Sequence, residues 1–108
     1  MAEIVVTIGH NGGSVKAAPG DVIAVHLQEN PTTGYRWQRH DEAGFAQALA
    51  FVGDSFEISS HAAPGASGMR IFRFSAQSKG ATSLQFTLVR SWQPDAPRET
   101  FHLHVEVT

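Results

Sequence analysis

Within the stretch 99–107, apolar and polar side chains alternate without a break from residue 100 onward. Phe101, Leu103, Val105 and Val107 fall on one side, His102, His104 and Glu106 on the other. A period of two puts successive side chains on opposite faces of an extended strand, and a helix following it would mix its faces. The same period returns in short runs. Residues 22–27 set Ile23, Val25 and Leu27 against Ala24 and His26, and residues 81–90 set Leu84, Phe86 and Leu88 against Ser83, Gln85 and Thr87. Residues 69–77 gather Phe72, Phe74 and Ala76 on one side, with Arg70 leading that side. Further strands are expected at 3–8, 14–18, 35–40 and 54–61, with Tyr35 and Trp37 sharing one side of theirs. Turn residues punctuate the runs at His10-Asn11-Gly12-Gly13, Pro19-Gly20-Asp21 and Ser78-Lys79-Gly80. One stretch, 41–51, has a helix-like grouping of Ala43, Phe45, Ala46, Ala48 and Leu49, enough for a turn or two.

Seven or eight short alternating strands in a chain of 108 residues predict an all-β fold, an immunoglobulin-like antiparallel β-sandwich formed as a single domain over 1–108. Seven Phe and two Trp supply the bulk for its core. A domain of this size needs no metal or disulfide to fold. With no cysteine there is neither a disulfide framework nor a thiolate nucleophile or ligand. Eight Lys and Arg against ten Asp and Glu give a net charge of −2, which offers no basic face to nucleic acid or to an anionic membrane. No apolar run approaches the roughly 20 residues that span a bilayer. Residues 1–6 show no basic region followed by a long apolar run, so no signal peptide is expected here. A periplasmic or secreted location would follow if one had been removed, and a cytoplasmic one otherwise.

Between the runs at 22–27 and 35–37 lies Asn30-Pro31-Thr32-Thr33-Gly34-Tyr35, a loop with well-specified chemistry. Pro31 fixes its own φ and pushes Asn30 toward an extended conformation. Gly34 permits a positive φ where the chain turns into the next strand. Thr32 and Thr33 are stiff at χ1 and carry a hydroxyl each. A rigid loop presenting small polar groups suits insertion into something concave. With the usual strand order of such a sandwich, the loops at 30–34, 62–68 and 91–97 project from the same end.

Three of these segments carry a resemblance. Asn30-Pro31-Thr32-Thr33-Gly34-Tyr35, the Gly-x-x-Gly at Gly65-Ala66-Ser67-Gly68, and Arg90-Ser91-Trp92 resemble the three signature loops of the chagasin family, tight-binding protein inhibitors of papain-like cysteine proteases. The likeness runs over nearly the whole chain. The first motif is the most specific, matching at six positions of six, and the third has Ser91 where the family has proline. The resemblance implies an immunoglobulin-like fold whose loops at 30–35, 64–68 and 90–97 form a wedge in the protease active-site cleft. It places Thr32 and Thr33 near the catalytic cysteine and histidine of the target. Gly65, Ala66, Ser67 and Gly68 would line the non-primed side through main-chain hydrogen bonds. Trp92 would pack on an aromatic surface on the primed side, supported by Arg90. Such a protein acts as a monomer on a papain-like cysteine protease, with no catalytic residue, metal or cofactor of its own.

The residues admit other chemistries on paper. His102 and His104, two apart on one face, have a spacing that suits zinc, with His26 or His61 as a third ligand, but no acidic or cysteine partner stands at ligand spacing. Ser55, His61 and Asp54 can be assembled into a hydrolase triad only on paper, without a nucleophile elbow. The chief alternative is a non-inhibitory β-sandwich that binds a carbohydrate or a cell-surface protein through Trp92 and Tyr35. A further one is a fold retained after inhibition has been lost, to which Ser91 is the one pointer.

Overall fold

The computed structural model describes residues 2–41, 45–58, 68–93 and 95–108, with the backbone alone at Pro31. Eight strands form two four-stranded sheets. They are β1 (Glu3–Val6), β2 (Ser14–Ala17), β3 (Val22–Glu29), β4 (Tyr35–Asp41), β5 (Leu49–Glu57), β6 (Gly68–Ala76), β7 (Gly80–Arg90) and β8 (Glu99–Val107). The first sheet has the order β1-β3-β6-β5 and the second β2-β8-β7-β4. The all-β sandwich expected from the alternation is therefore the observed architecture. Its two N-terminal edge strands pair in parallel, β1 with β3 and β2 with β8, whereas the other pairings are antiparallel. The cause is topological: the chain reverses between consecutive strands, so odd strands run one way and even strands the other. An odd strand laid beside an odd strand must then be parallel.

The alternation marks the faces as it should. Ile23, Val25, Leu27, Phe74, Leu84, Phe86, Phe101, Leu103 and Val105 are completely buried between the sheets. Phe86 lies at the centre, its ring centroid 4.7 Å from that of Phe72 and 6.0 Å from that of Phe101. Each such side chain withdrawn from water contributes about 1.5–3 kcal/mol. At the open side of the sandwich Arg39, paired with Asp41, lays its guanidinium 4.2 Å from the Phe51 ring centroid and 5.5 Å from that of Phe45.

In the middle of the chain the expected helical turn is present and the start of the following strand is corrected. The helix is one turn, Phe45–Ala48, and a strand begins at once at Leu49 rather than at residue 54. A bulge at Val52 explains the misreading, because the register with β6 shifts between Phe51 and Gly53. Leu49 and Phe51 oppose Ala76 and Phe74 before it, and Asp54 and Phe56 oppose Phe72 and Arg70 after it. One extra residue swaps the parity of the inward positions, so no single period of two covers the strand. Residues 59–61 of the expected strand lie outside the described residues.

Strand direction also fixes where the loops go. The last residues of β3, β5 and β7 and the first of β4, β6 and β8 all lie at one end of the sandwich. The turn after β1 lies toward the same end, with the Asn11 side-chain amide donating to the Thr100 carbonyl at 3.1 Å.

Candidate functional site

The loop after β3 is organised by Asn30. Its side-chain Oδ1 accepts the Thr32 N–H at 3.0 Å and the Thr32 hydroxyl at 2.7 Å. Its main-chain carbonyl accepts the Thr33 N–H at 3.3 Å and the Thr33 hydroxyl at 2.8 Å. These bonds wind Pro31–Thr33 into one turn of 3-10 helix. The Asn side chain replaces the backbone acceptor that a short turn lacks, which is why Asn is favoured ahead of such a turn. Both threonine hydroxyls have thus given their hydrogens to Asn30. What they keep for a partner is acceptor capacity. Thr32 is exposed and Thr33 half-buried.

Gly34 closes the turn at φ +79°, in the left-handed region that favours glycine. It has a second reason to be glycine. A Cβ there would stand 2.7 Å from Cη2 of Trp92, so the indole lies directly against the Gly34 backbone. Trp92 is otherwise 67% exposed, the largest outward-facing apolar group among the described residues.

Arg90 joins these parts. Its Nε donates to the Thr33 carbonyl at 3.1 Å, and its guanidinium carbon lies 4.4 Å from the Tyr35 ring centroid and 5.7 Å from that of Trp92. Arg98 approaches the Tyr35 ring as well, at 5.5 Å. Ser91, at the position expected to be proline, sits in a turn closed by the Gln93 N–H on the Arg90 carbonyl at 2.9 Å. Presentation of Trp92 therefore rests on its packing against Gly34 and on Arg90, with no proline in the turn.

Beneath the loop lies a charge cluster. The Glu29 side chain is 2% exposed. One carboxylate oxygen accepts the Trp37 N–H at 2.9 Å, and the other accepts Arg70 Nε at 3.2 Å and Nη2 at 2.9 Å. Arg70 Nη1 reaches Asp54 at 2.9 Å. Burial works against the Arg70 charge, but the bonds to Glu29 and Asp54 outweigh it and hold the guanidinium above its ordinary pKa. The Trp37 indole N–H donates to the Gln28 carbonyl at 2.9 Å, pinning β4 to β3 across the two sheets. A half-open groove of about 390 Å³ opens behind the loop, with Asn30, Thr33, Tyr35, Trp37 and Arg98 in its wall.

The sequence pattern described as the chagasin family peptidase inhibitor I42 matches residues 16–105. The chain belongs to the chagasin family. Chagasin from Trypanosoma cruzi is 26% identical over 106 residues, covering 94% of each protein. The cysteine protease inhibitor EhICP2 from Entamoeba histolytica superposes with a TM-score of 0.86 at 20% identity, over 100% of this chain and 97% of that one. PbICP-C, solved in complex with falcipain-2, gives a TM-score of 0.68 at 14% identity, over 98% of this chain and 89% of that one.

Of the residues expected to form the chagasin-type loops, Asn30, Pro31, Thr32, Thr33, Gly34, Tyr35, Arg90 and Trp92 come together at one end of the sandwich. Gly68 is the first residue of β6 and pairs with Glu29. Gly65, Ala66 and Ser67 lie outside the described residues, as does His61. Sequence reasoning missed Glu29, Arg98 and the role of Arg70 below the loop. The signal for Glu29 was present, since the alternation that places Ile23, Val25 and Leu27 inward continues to residue 29. His102 and His104 occupy the exposed face of β8, and among the described residues no three His, Asp or Glu side chains gather at metal-binding distance. Asp54 and Ser55 point to opposite faces of β5, bonded to Arg70 and Arg73.

Proposed function

We propose that this chagasin-family protein is a reversible, tight-binding inhibitor of papain-like cysteine proteases, acting as a monomer through the loop end of its sandwich. The observation that carries this reading is the cross-linked loop pair. Arg90 bonds the first loop, Trp92 packs on Gly34, and Asn30 takes up both threonine hydroxyls. A surface already held in one shape loses little conformational freedom on binding. The first loop, with Asn30, Pro31, Thr32, Thr33, Gly34 and Tyr35, enters the cleft between the target's catalytic residues. It offers no peptide bond at attack geometry, so it occupies the cleft without being cut.

Trp92 supplies an aromatic anchor with Arg90 behind it, the residue pair that most often dominates interface energies. To Gly65, Ala66, Ser67 and Gly68 we assign contact with the non-primed side of the cleft, as the motif resemblance implies. Three loops of a domain this size suffice for an interface of roughly 800 Å² per partner. The same fold stands in a complex with falcipain-2 in the case of PbICP-C, which supports a protease as partner. The protein works without a catalytic step, metal or cofactor of its own. The Thr33 hydroxyl gives its hydrogen to the Asn30 carbonyl, which suits a contact role for the loop.

The test is titration of papain with the purified protein against a fluorogenic peptide substrate. Stoichiometric loss of activity that recovers on dilution is expected. A folded protein that leaves papain and an L-type cathepsin fully active at micromolar concentration overturns the proposal, and binding to a carbohydrate or a cell-surface protein becomes the reading to pursue.

A further inference from the structure

Glu29 and Arg70 form the most buried ion pair among the described residues, and it lies immediately below the loops rather than in the centre of the core. Buried ion pairs are poor sources of stability, because desolvation consumes most of what the attraction returns. A better-attested use is fixing one arrangement among several similar ones. Here the geometry shows which arrangement is at stake. Glu29 directly precedes Asn30 on the incoming stem of the first loop, and its carboxylate holds the N–H of Trp37 on the outgoing stem. The incoming stem belongs to one sheet and the outgoing stem to the other. Arg70 lies two residues after Gly68, at the exit of the second loop.

From Arg70 the contacts continue to the second loop's entry. Its guanidinium bonds Asp54 and sits 5.1 Å from the Phe56 ring centroid. Phe56 in turn packs so closely on Gly68 that a Cβ there would lie 2.6 Å from its Cζ and 2.6 Å from the Glu57 carbonyl. Both stems of the first loop and both flanks of the second are thus tied to one guanidinium–carboxylate pair.

We infer that Glu29 and Arg70 are positioning residues that set the spacing between the stems of the first loop and the adjoining ends of β5 and β6, and so the placement of the first loop offered to a protease. They touch no partner themselves. This rests on the inhibitor reading for its functional consequence, though the structural half stands alone. A pair serving stability only would, once neutralised without leaving a buried charge, leave the loops and the inhibition as they were. A pair serving spacing would loosen the loops in a protein that is still folded.

The experiment uses Glu29→Gln/Arg70→Met, which removes both charges yet keeps an acceptor for the Trp37 N–H, and Arg70→Lys. Lysine keeps the charge, but a single ammonium cannot reproduce the three bonds the fork makes. Hydrogen exchange is read first, on the free protein. Faster exchange at Thr32, Thr33, Tyr35 and Trp37, with Leu103 and Val105 unchanged, is expected in the double variant, and a smaller rise in Arg70→Lys. Dissociation from papain should quicken by roughly tenfold or more in the double variant, and by less in Arg70→Lys. Unchanged exchange across 32–37 overturns the inference, as does wild-type dissociation from papain in a variant whose loops do exchange faster. Failure of the wild-type protein to inhibit papain would strike the inhibitor reading instead, with the exchange comparison still deciding the clamp.

Discussion

Gly34→Ala isolates the contact that joins the first loop to Trp92. The substitution does two separable things. At φ +79° an alanine is in the left-handed region, at a cost of about 1–2 kcal/mol. Its Cβ would also stand 2.7 Å from Trp92 Cη2, whereas apolar carbons rest about 3.5–4.0 Å apart. Backbone on one side cannot give, so the indole must move by about 1 Å or more. At 67% exposure the ring is free to do so. Stability should therefore fall by little more than the backbone strain, lowering Tm by roughly 5–10 °C for a domain of this size.

Binding should suffer more, because an anchor that has swung away must be returned at each encounter. If Trp92 is worth about 2 kcal/mol at the interface, its loss speeds dissociation about 30-fold. The assay is a cycle of Gly34→Ala, Trp92→Ala and the double variant, followed by dissociation from papain and by thermal unfolding. Gly34→Ala should approach the Trp92→Ala rate, and the double variant should dissociate no faster than Trp92→Ala alone. Penalties that instead multiply, giving about 1,000-fold in the double variant, would show that Gly34 does not act through the ring.

Three further outcomes are expected. Thr32→Ala removes one hydroxyl bond to Asn30 and should weaken inhibition by about 2- to 12-fold, within the range of one ordinary hydrogen bond. Thr33→Arg removes the bond to the Asn30 carbonyl and carries a bulky charge into the cleft, which should abolish inhibition of papain; unchanged inhibition would remove the first loop from the centre of the interface. The Asp21 carboxylate, far from the loops, accepts the Ala18 N–H at 2.9 Å and the Ala2 N–H at 3.0 Å, and these bonds hold its pKa below the ordinary value. A group depressed in the folded state stabilises fully above its unfolded pKa, near 3.9, and that contribution is lost as pH falls through the lower folded value. Asp21→Asn should flatten the acid limb of a Tm-against-pH curve below about pH 4. An identical acid limb in wild type and variant would remove Asp21 from the account.

Much of the protein was written in its sequence. Period-two alternation decides which faces of β3, β6, β7 and β8 are buried, because a strand has only two faces and water selects between them. The hexapeptide at 30–35 likewise dictates its own turn, since Asn30, Pro31 and Gly34 act on neighbours within four residues. Other features depend on partners distant in the chain. The bulge at Val52 reverses parity within β5, and only pairing with β6 reveals where the extra residue sits. Parallel pairing of β1 and β2 follows from which sheet each joins, a choice that alternation leaves open. Arg70 reads as a charge on an inward face, and Glu29 continues the inward positions of its strand, each a liability in isolation. Only the antiparallel register that sets Leu27 opposite Arg70 brings the two together. The packing of Trp92 on Gly34 joins residues 58 positions apart in the chain (92 − 34) and belongs to the same class. Local chemistry shapes each loop, and the sandwich sets the distances between them.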